Sequence, residues 1–393
     1  MKTPISIGML FSSEGSYRTV SRAMRDGAML ALEEVNDDSR FDFELRPHVQ
    51  DPRGVPAAYP ECALRLLSDQ RIKHVVGCYT SSSRKEIIPS FEKYDALLWY
   101  PSHYEGFETN DNVIYTGAAP NHHVLPLMDY VLRYVGRDIY CIGSNYVWAW
   151  ENNRIVRELT QVNSGRILGE RYLQVHDCEV GRIIEEIIER RPSFVLNMLI
   201  GESSYAFYRA FAEAREAHPE LKDTVIGSCT LCEPELAEIG PAACAGHVSS
   251  SVYFSSITTS ANRAFVAAYR RRFGANVMPS ADAEASYNTI HLLARALAGA
   301  EPSDIESVKA NLYGATFQAP QGRVSIDSEN NHSFLTPRLG VSRSDGTFEI
   351  IREWSEPVRP DPYLVWADGS GISTSDGTGG QELNRRPTLR VIR

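Results

Sequence analysis

The chain has 393 residues, 43% hydrophobic and 23% charged, a globular composition long enough for two cores of about 150 residues each, which excludes wholesale disorder. Forty Lys and Arg against 50 Asp and Glu give a formal charge of −10, and such a chain, lacking a basic block, is not built to neutralise phosphates, which argues against direct nucleic-acid binding. No stretch approaches the about 20 consecutive apolar residues of a membrane-spanning helix.

Residues 5–11 read as a first strand directly after Met1-Lys2-Thr3-Pro4. The basic start, apolar run and cleavage site of an export leader are not legible, so the chain is read as cytoplasmic, or as periplasmic if a leader has been removed. A helix over 18–36 carries Val20, Met24, Ala28, Leu32 and Val35 on one side. Strands at 41–50, 74–79, 97–100 and 113–115 alternate with helices at 57–68 and 83–94, the rhythm of parallel strands joined by right-handed crossovers. Gly117-Ala118-Ala119-Pro120 breaks that rhythm. A second series follows: helix 124–135 with Pro126 in its first turn, strand 139–143, helix 151–162, strand 167–173, helix 180–189, the apolar strand 194–200, helix 205–217 and strand 224–228. After residue 245 come a strand at 248–254, helices at 261–273, 281–297 and 305–313, and short strands at 322–326, 338–341 and 347–351. Residues 367–393 read as a loose tail, opening in a stretch of Asp, Gly, Ser and Thr.

The seven cysteines, at positions 62, 78, 141, 178, 229, 232 and 244, are odd in number and scattered, which is no disulfide framework and fits a reducing compartment. Cys229-Thr230-Leu231-Cys232 lacks the second pair or nearby histidines of a zinc site, so no metal is assigned.

In open α/β sheets ligands sit outside the carboxyl ends of the strands, so those loops are where a site is sought. The first, Ser12-Ser13-Glu14-Gly15-Ser16, reads as a helix-capping turn. The third strand runs into Tyr79-Thr80-Ser81-Ser82-Ser83, hydroxyls beside the free N–H groups of a helix start. Without GxxxxGK[ST] spacing this is no phosphate loop, and uncharged hydroxyls suit a neutral, amide-like solute. The fourth strand ends in Trp99-Tyr100-Pro101-Ser102-His103-Tyr104, and in the second unit Tyr146-Val147-Trp148 takes the corresponding place, offering flat walls with polar tips. No GxSxG or HExxH motif occurs, and Cys78 reads as a small buried residue at a strand end, so the chain is not read as an enzyme.

Several stretches go further. Gly77-Cys78-Tyr79-Thr80-Ser81 with Arg84-Lys85, Asp95-Ala96-Leu97-Leu98-Trp99-Tyr100-Pro101, Tyr104-Glu105-Gly106-Phe107-Glu108 and Ala118-Ala119-Pro120-Asn121 resemble the amide- and urea-binding branch of the type I periplasmic-binding-protein superfamily. Tyr253-Phe254-Ser255-Ser256, Ala319-Pro320-Gln321-Gly322, Asn330-Asn331-His332 and Arg359-Pro360-Asp361-Pro362-Tyr363 extend the resemblance to about residues 5–366. Within that branch the chain is most similar to the cytoplasmic amide sensors that negatively regulate aliphatic amidase expression. The resemblance implies an α/β, two-lobed fold, each lobe a mostly parallel sheet flanked by helices, with a hinge between them. Residues 1–118 plus 248–325 would form the N-terminal lobe and 119–247 plus 326–366 the C-terminal lobe, with crossings near 118–121, 245–248 and 325–332.

The resemblance also implies ligand-binding roles for Tyr79, Ser81, Tyr100, Ser102, Tyr146 and, more loosely, Thr230. His103 and Trp148 stand where the family has Pro and a second Tyr, and both departures bear on which solute fits. The implied function is binding of a small amide or urea-like ligand, with no cofactor and no catalytic residue, by a sensor that acts on an RNA-binding antiterminator partner. A second copy of the chain is a further implied partner. The alternative is the solute-binding component of a urea or short-chain amide ABC transporter, whose partner is the permease.

Overall fold

The computed structural model describes residues 2–365, and the expected tail at 367–393 lies outside the described residues. The first sheet holds five parallel strands, β1 (Thr3–Leu10), β2 (Phe43–Gln50), β3 (His74–Gly77), β4 (Leu97–Tyr100) and β5 (Val113–Tyr115), in the order β2-β1-β3-β4-β5. Helices α1 (Arg18–Asp37), α2 (Tyr59–Leu64) and α3 (Ser81–Tyr94) connect them. Every residue of β3, β4 and β5 is buried, because helices cover both faces of a parallel sheet.

The second unit begins with α4 (Pro120–Tyr130) and alternates β6 (Asp138–Ser144), α5 (Val147–Val162), β7 (Arg166–Leu173), α6 (Gly181–Arg190), β8 (Phe194–Met198), α7 (Glu202–Ala217), β9 (Val225–Ser228), α8 (Glu233–Ile239) and β10 (Val248–Ser251). Three helices follow, α9 (Ser260–Phe273), α10 (Ala281–Leu297) and α11 (Ile305–Gly314), then β11 (Thr316–Ala319), β12 (Gly322–Ile326), β13 (Ser333–Phe334), β14 (Arg338–Ser342) and β15 (Phe348–Glu353). The second sheet runs β15-β14-β10-β9-β8-β6-β7, with β14 and β15 as its antiparallel edge, and β11, β12 and β13 form a small antiparallel sheet. The result is the two-lobed α/β architecture with mostly parallel sheets flanked by helices.

One boundary differs from the sequence reading. The strand expected at 248–254 in the N-terminal lobe pairs instead in the second sheet, Val248 with Gly227 of β9 and Ser250 with Leu339 of β14. Its ladder is satisfied on both sides there, so the chain leaves the second sheet only after Ser251 rather than at 245–248. It then returns to the first sheet, where α10 lies along α1. The approach is close enough that a Cβ on Gly27 would stand 2.1 Å from the Ala283 carbonyl oxygen, so only glycine fits there. The chain therefore passes between the sheets at 116–119, 252–259 and 335–337.

Met24, Ala28 and Leu32 of α1 pack with Leu293 of α10 in a buried cluster that continues to Leu127, Met128 and Ile155 of the second unit. Separate clusters fill the outer sides, with Leu66, Val75 and Phe91 in the first lobe and Ile187, Val195 and Phe211 in the second. Burial also holds five histidines neutral: His74, His122 and His247 are pushed down to about 4, and His123 and His332 to about 3. Their folded values lie below the unfolded value of about 6.5, so the stability they carry is complete above that pH and lost as pH falls through it. Glu233, Glu235 and Glu284, pushed up to about 7 by burial, work the other way, with their share complete below about pH 4.5 and lost as pH rises through about 7. Five bases outweigh three acids between these limits, so the melting temperature is expected to fall as the buffer goes from pH 6.5 to 4.5. A scanning-calorimetry series that is flat or rising on acidification would contradict this balance.

Candidate functional site

The carboxyl ends of the two sheets face each other across a cleft. From the first sheet, β3 leads through Cys78 and Tyr79 to Thr80, which caps α3 by accepting from the Ser83 N–H at 3.3 Å. Ser81 opens the helix, and Ser102 and His103 follow β4. From the second, Tyr146 precedes α5 and Trp148 lies in its first turn, while Ile200 follows β8 and Thr230 follows β9. Tyr79, Ser81, Ser102 and His103 on one side and Tyr146, Trp148, Ile200 and Thr230 on the other line a narrow cavity. The His103 and Trp148 rings meet edge to face at 4.8 Å, and Tyr79 stands edge-on to His103 at 6.2 Å. The Trp148 Nε1–H is buried without a hydrogen-bond partner among the described residues.

Tyr100, expected among the ligand residues, does not line this cavity. Its hydroxyl donates to the Tyr79 carbonyl oxygen at 2.9 Å, and the Arg84 guanidinium lies 4.7 Å from its ring centroid. Tyr100 therefore positions Tyr79. The other seven expected residues come together, and Ile200 joins them without any signal in the sequence beyond its place after an apolar strand.

Behind Ser81 lies a buried charge cluster. The Ser81 hydroxyl donates to Glu105, whose carboxylate pairs with Arg84 at 3.2 Å. Arg84 is fully buried and also donates through Nε to Glu108 at 2.7 Å, while Lys85 reaches Glu108 at 2.6 Å. Burial alone would raise the Glu108 carboxyl, but Arg84 and Lys85 hold it down to about 2. Because the Ser81 hydroxyl is committed to a buried carboxylate, Ser81→Ala is expected to lower unfolding stability by about 1–3 kcal/mol as well as to alter the cavity wall. Urea denaturation checks this, and an unchanged midpoint would remove Ser81 from the cluster.

A second cavity adjoins the first and shares His103 and Thr230 with it. Its walls include His123, Cys232 and Asp282. The carboxylate of Asp282, in the first turn of α10, accepts from His103 Nδ1 at 2.9 Å. Burial would push His103 down, but the charge and hydrogen bond of Asp282, with Glu235 and Glu105 beyond, raise it above the ordinary histidine value. Nothing near Asp282 in the chain marks it as a site residue; helix packing brings it to His103 across 179 positions.

The loop at 12–16, expected as a capping turn, does something else. The α1 N-cap, Tyr17, makes no side-chain capping bond; the Ser12 hydroxyl pairs with Tyr59 at 3.0 Å and Ser13 Oγ donates to Asp51. The loop also meets the opposite lobe. A Cβ on Gly201, whose φ is +56°, would stand 2.1 Å from the Ser16 carbonyl oxygen. Beside it Arg18 bridges to Glu202 at 2.5 Å, and Thr19 donates to Glu238 at 3.2 Å. These contacts hold the cleft shut on the side of α1.

Burial pushes the Cys78 thiol up to about 12, so it stays protonated near neutral pH. Cys229 and Cys232 are buried free thiols, and among the described residues no group of three or more His, Cys, Asp and Glu is placed to hold a metal ion. No described helix is long and apolar enough to cross a membrane.

Comparison with known proteins gives three results. A family described as periplasmic binding protein domain matches residues 5–368. A limonene hydroxylase of Geobacillus stearothermophilus is 31% identical over 121 residues, covering 31% of this chain and 22% of that protein, so the chain spans about a fifth of the length of this curated relative. Among solved structures, the solute binding protein of an ABC transporter from R. palustris in complex with benzoate superposes with a TM-score of 0.80 at 15% identity, over 95% of this chain and 99% of that one. The branched-chain amino acid transporter substrate binding protein from Streptococcus pneumoniae in complex with isoleucine superposes at 0.75 with 20% identity, over 91% and 100%. At such identities the likeness is one of fold.

Proposed function

We propose, because this chain belongs to the periplasmic binding protein domain family, that it binds a small solute between its two lobes as the solute-binding component of an ABC-type uptake system. The observation that carries this reading is a cavity walled by side chains from the strand ends of both sheets. One lobe would comprise the first sheet with α1–α3 and α9–α11, the other the second sheet with α4–α8, and the three crossings would form the hinge. The permease is the partner this role requires, and the place of action is outside the cytoplasm. The membership sets the expectation of binding without catalysis.

A neutral amide or urea is the solute favoured within this role by the Ser81 and Ser102 oxygens, whose own protons go to Glu105 and the His103 carbonyl, and by the free Trp148 N–H. The motifs of the amide-sensor branch support a second reading, a cytoplasmic regulator that holds an RNA-binding antiterminator. Deleting the gene in its native host separates the two. Uptake of labelled short-chain amides or urea should fall under the transport reading. Unchanged uptake with raised amidase expression would overturn it in favour of the sensor.

A further inference from the structure

We propose that the cavity adjoining at His103 is a second compartment of the same solute site, and that Asp282 and His123 there receive an N–H-bearing end of the solute while the smaller compartment takes an oxygen acceptor. This rests on the solute-binding reading and names the chemistry that the site selects. The two compartments share His103 and Thr230 in their lining and so adjoin, and the proposal has one solute span both.

Their polar groups differ. The smaller compartment offers donors in the unpartnered Trp148 Nε1–H and the starts of α3 and α5, whose first N–H groups have no partners within the helix, beside the Ser81 and Ser102 oxygens, whose own protons go to Glu105 and the His103 carbonyl. The larger offers acceptors. His123 is buried and its Nε2 donates to the Tyr104 carbonyl oxygen at 3.0 Å, which leaves Nδ1 as a lone pair, and that atom has no partner among the described residues. The Asp282 carboxylate, 4% exposed, is touched at Oδ1 by His103 Nδ1 at 2.9 Å and by the His103 backbone N–H at 3.5 Å, and a carboxylate has about four lone-pair positions.

No Lys or Arg lines either compartment. Arg84, the cation behind Tyr100, is engaged by Glu105 and Glu108. Asp282 first, with Glu235 and Glu105 beyond it, favours the protonated form of His103. A simple carboxylate has no N–H to offer Asp282 and His123 and would leave the buried His123 Nδ1 unpaired. A carboxamide, with C=O and NH₂ on one carbon, satisfies both compartments, and so does a zwitterion with an ammonium at its far end.

Calorimetric titration of the whole chain with matched solutes tests this. The pairs are butyramide against butyrate and benzamide against benzoate, with isoleucine as the ammonium-bearing arm. The amide of each pair, or isoleucine, should bind at least tenfold more tightly than the plain acids, and the stronger arm tells whether a neutral or a charged N–H group is taken. Asp282→Asn and His123→Leu should each erase most of that preference, with melting curves confirming folded protein. The preference of the unaltered chain remains decisive if a variant does not fold. Equal or tighter binding of the plain acids overturns the inference, as does a preference that survives both substitutions. If butyrate or benzoate binds and Gly201→Ala abolishes that binding, the solute-binding reading stands while this inference falls; if no solute of any arm binds, both fall.

Discussion

Arg84→Ala is expected to lower unfolding stability by about 3–5 kcal/mol, the usual result of removing one partner from a buried ion pair. The guanidinium is fully buried and is the shared partner of two carboxylates, at 3.2 Å from Glu105 and 2.7 Å from Glu108. Glu105 is 1% exposed, so its charge has no access to water once Arg84 is gone, and Lys85 reaches its oxygen only at 3.8 Å. The Tyr100 and Tyr104 rings, each under 5 Å from the guanidinium carbon, would lose their packing surface too. Because Ser81 and Tyr79 hang on this cluster, solute binding should weaken in parallel. Urea denaturation reads the effect. Replacing the whole cluster, Arg84→Met with Glu105→Gln and Glu108→Gln, should recover most of the stability, since no uncompensated charge remains. A loss below about 1 kcal/mol for Arg84→Ala would mean that water reaches the cluster.

Gly201→Ala should leave the chain folded but weaken solute binding by about 1–3 kcal/mol, or about 5- to 150-fold, the cost of forcing extra atoms into a packed contact. The added Cβ would stand 2.1 Å from the Ser16 carbonyl oxygen, a backbone atom that no rotamer change can move. The overlap disappears if the lobes part, so the substitution acts on the closed form. The φ of +56° with ψ of −135°, a backbone region nearly confined to glycine, adds a cost of about 1–3 kcal/mol in open and closed forms alike. Arg18→Ala tests the same closure without backbone strain. Its bridge to Glu202 is about 40% exposed on both sides, so its effect should be a few-fold at most and should vanish at high salt. Equal affinity of Gly201→Ala and the unaltered chain in calorimetry would show that the Ser16–Gly201 contact plays no part in binding.

What was legible in the chain follows the range of the forces involved. Strand–helix alternation is local, and it carried the two α/β units and the strand-end loops where Tyr79, Ser102, Tyr146 and Trp148 now meet. The pairing of Val248–Ser251 was misplaced because an isolated short strand says nothing about which sheet holds its neighbours; β9 lies just before it, but β14 is about 90 residues on. Tyr100 is a different case, set behind the pocket wall with its hydroxyl on the Tyr79 carbonyl oxygen. Alternation along a strand gives the side a residue faces, not whether its hydroxyl is already taken by a backbone carbonyl. Asp282, His123 and the Ser16–Gly201 contact were invisible, since each becomes meaningful only when helices and lobes far apart in the chain pack together.

The central claim is that a small solute binds in the cleft and holds the lobes closed. Melting the unaltered chain and Gly201→Ala side by side, with short-chain amides, urea, aromatic acids and amino acids each in large excess, tests it most directly. A solute that binds only the folded chain adds about 2.7 kcal/mol of stability at a hundredfold excess over its dissociation constant. The account predicts that at least one solute raises the melting temperature of the unaltered chain by that order and that Gly201→Ala loses most of the gain. No shift with any of these solutes, or the same shift in both proteins, would contradict it.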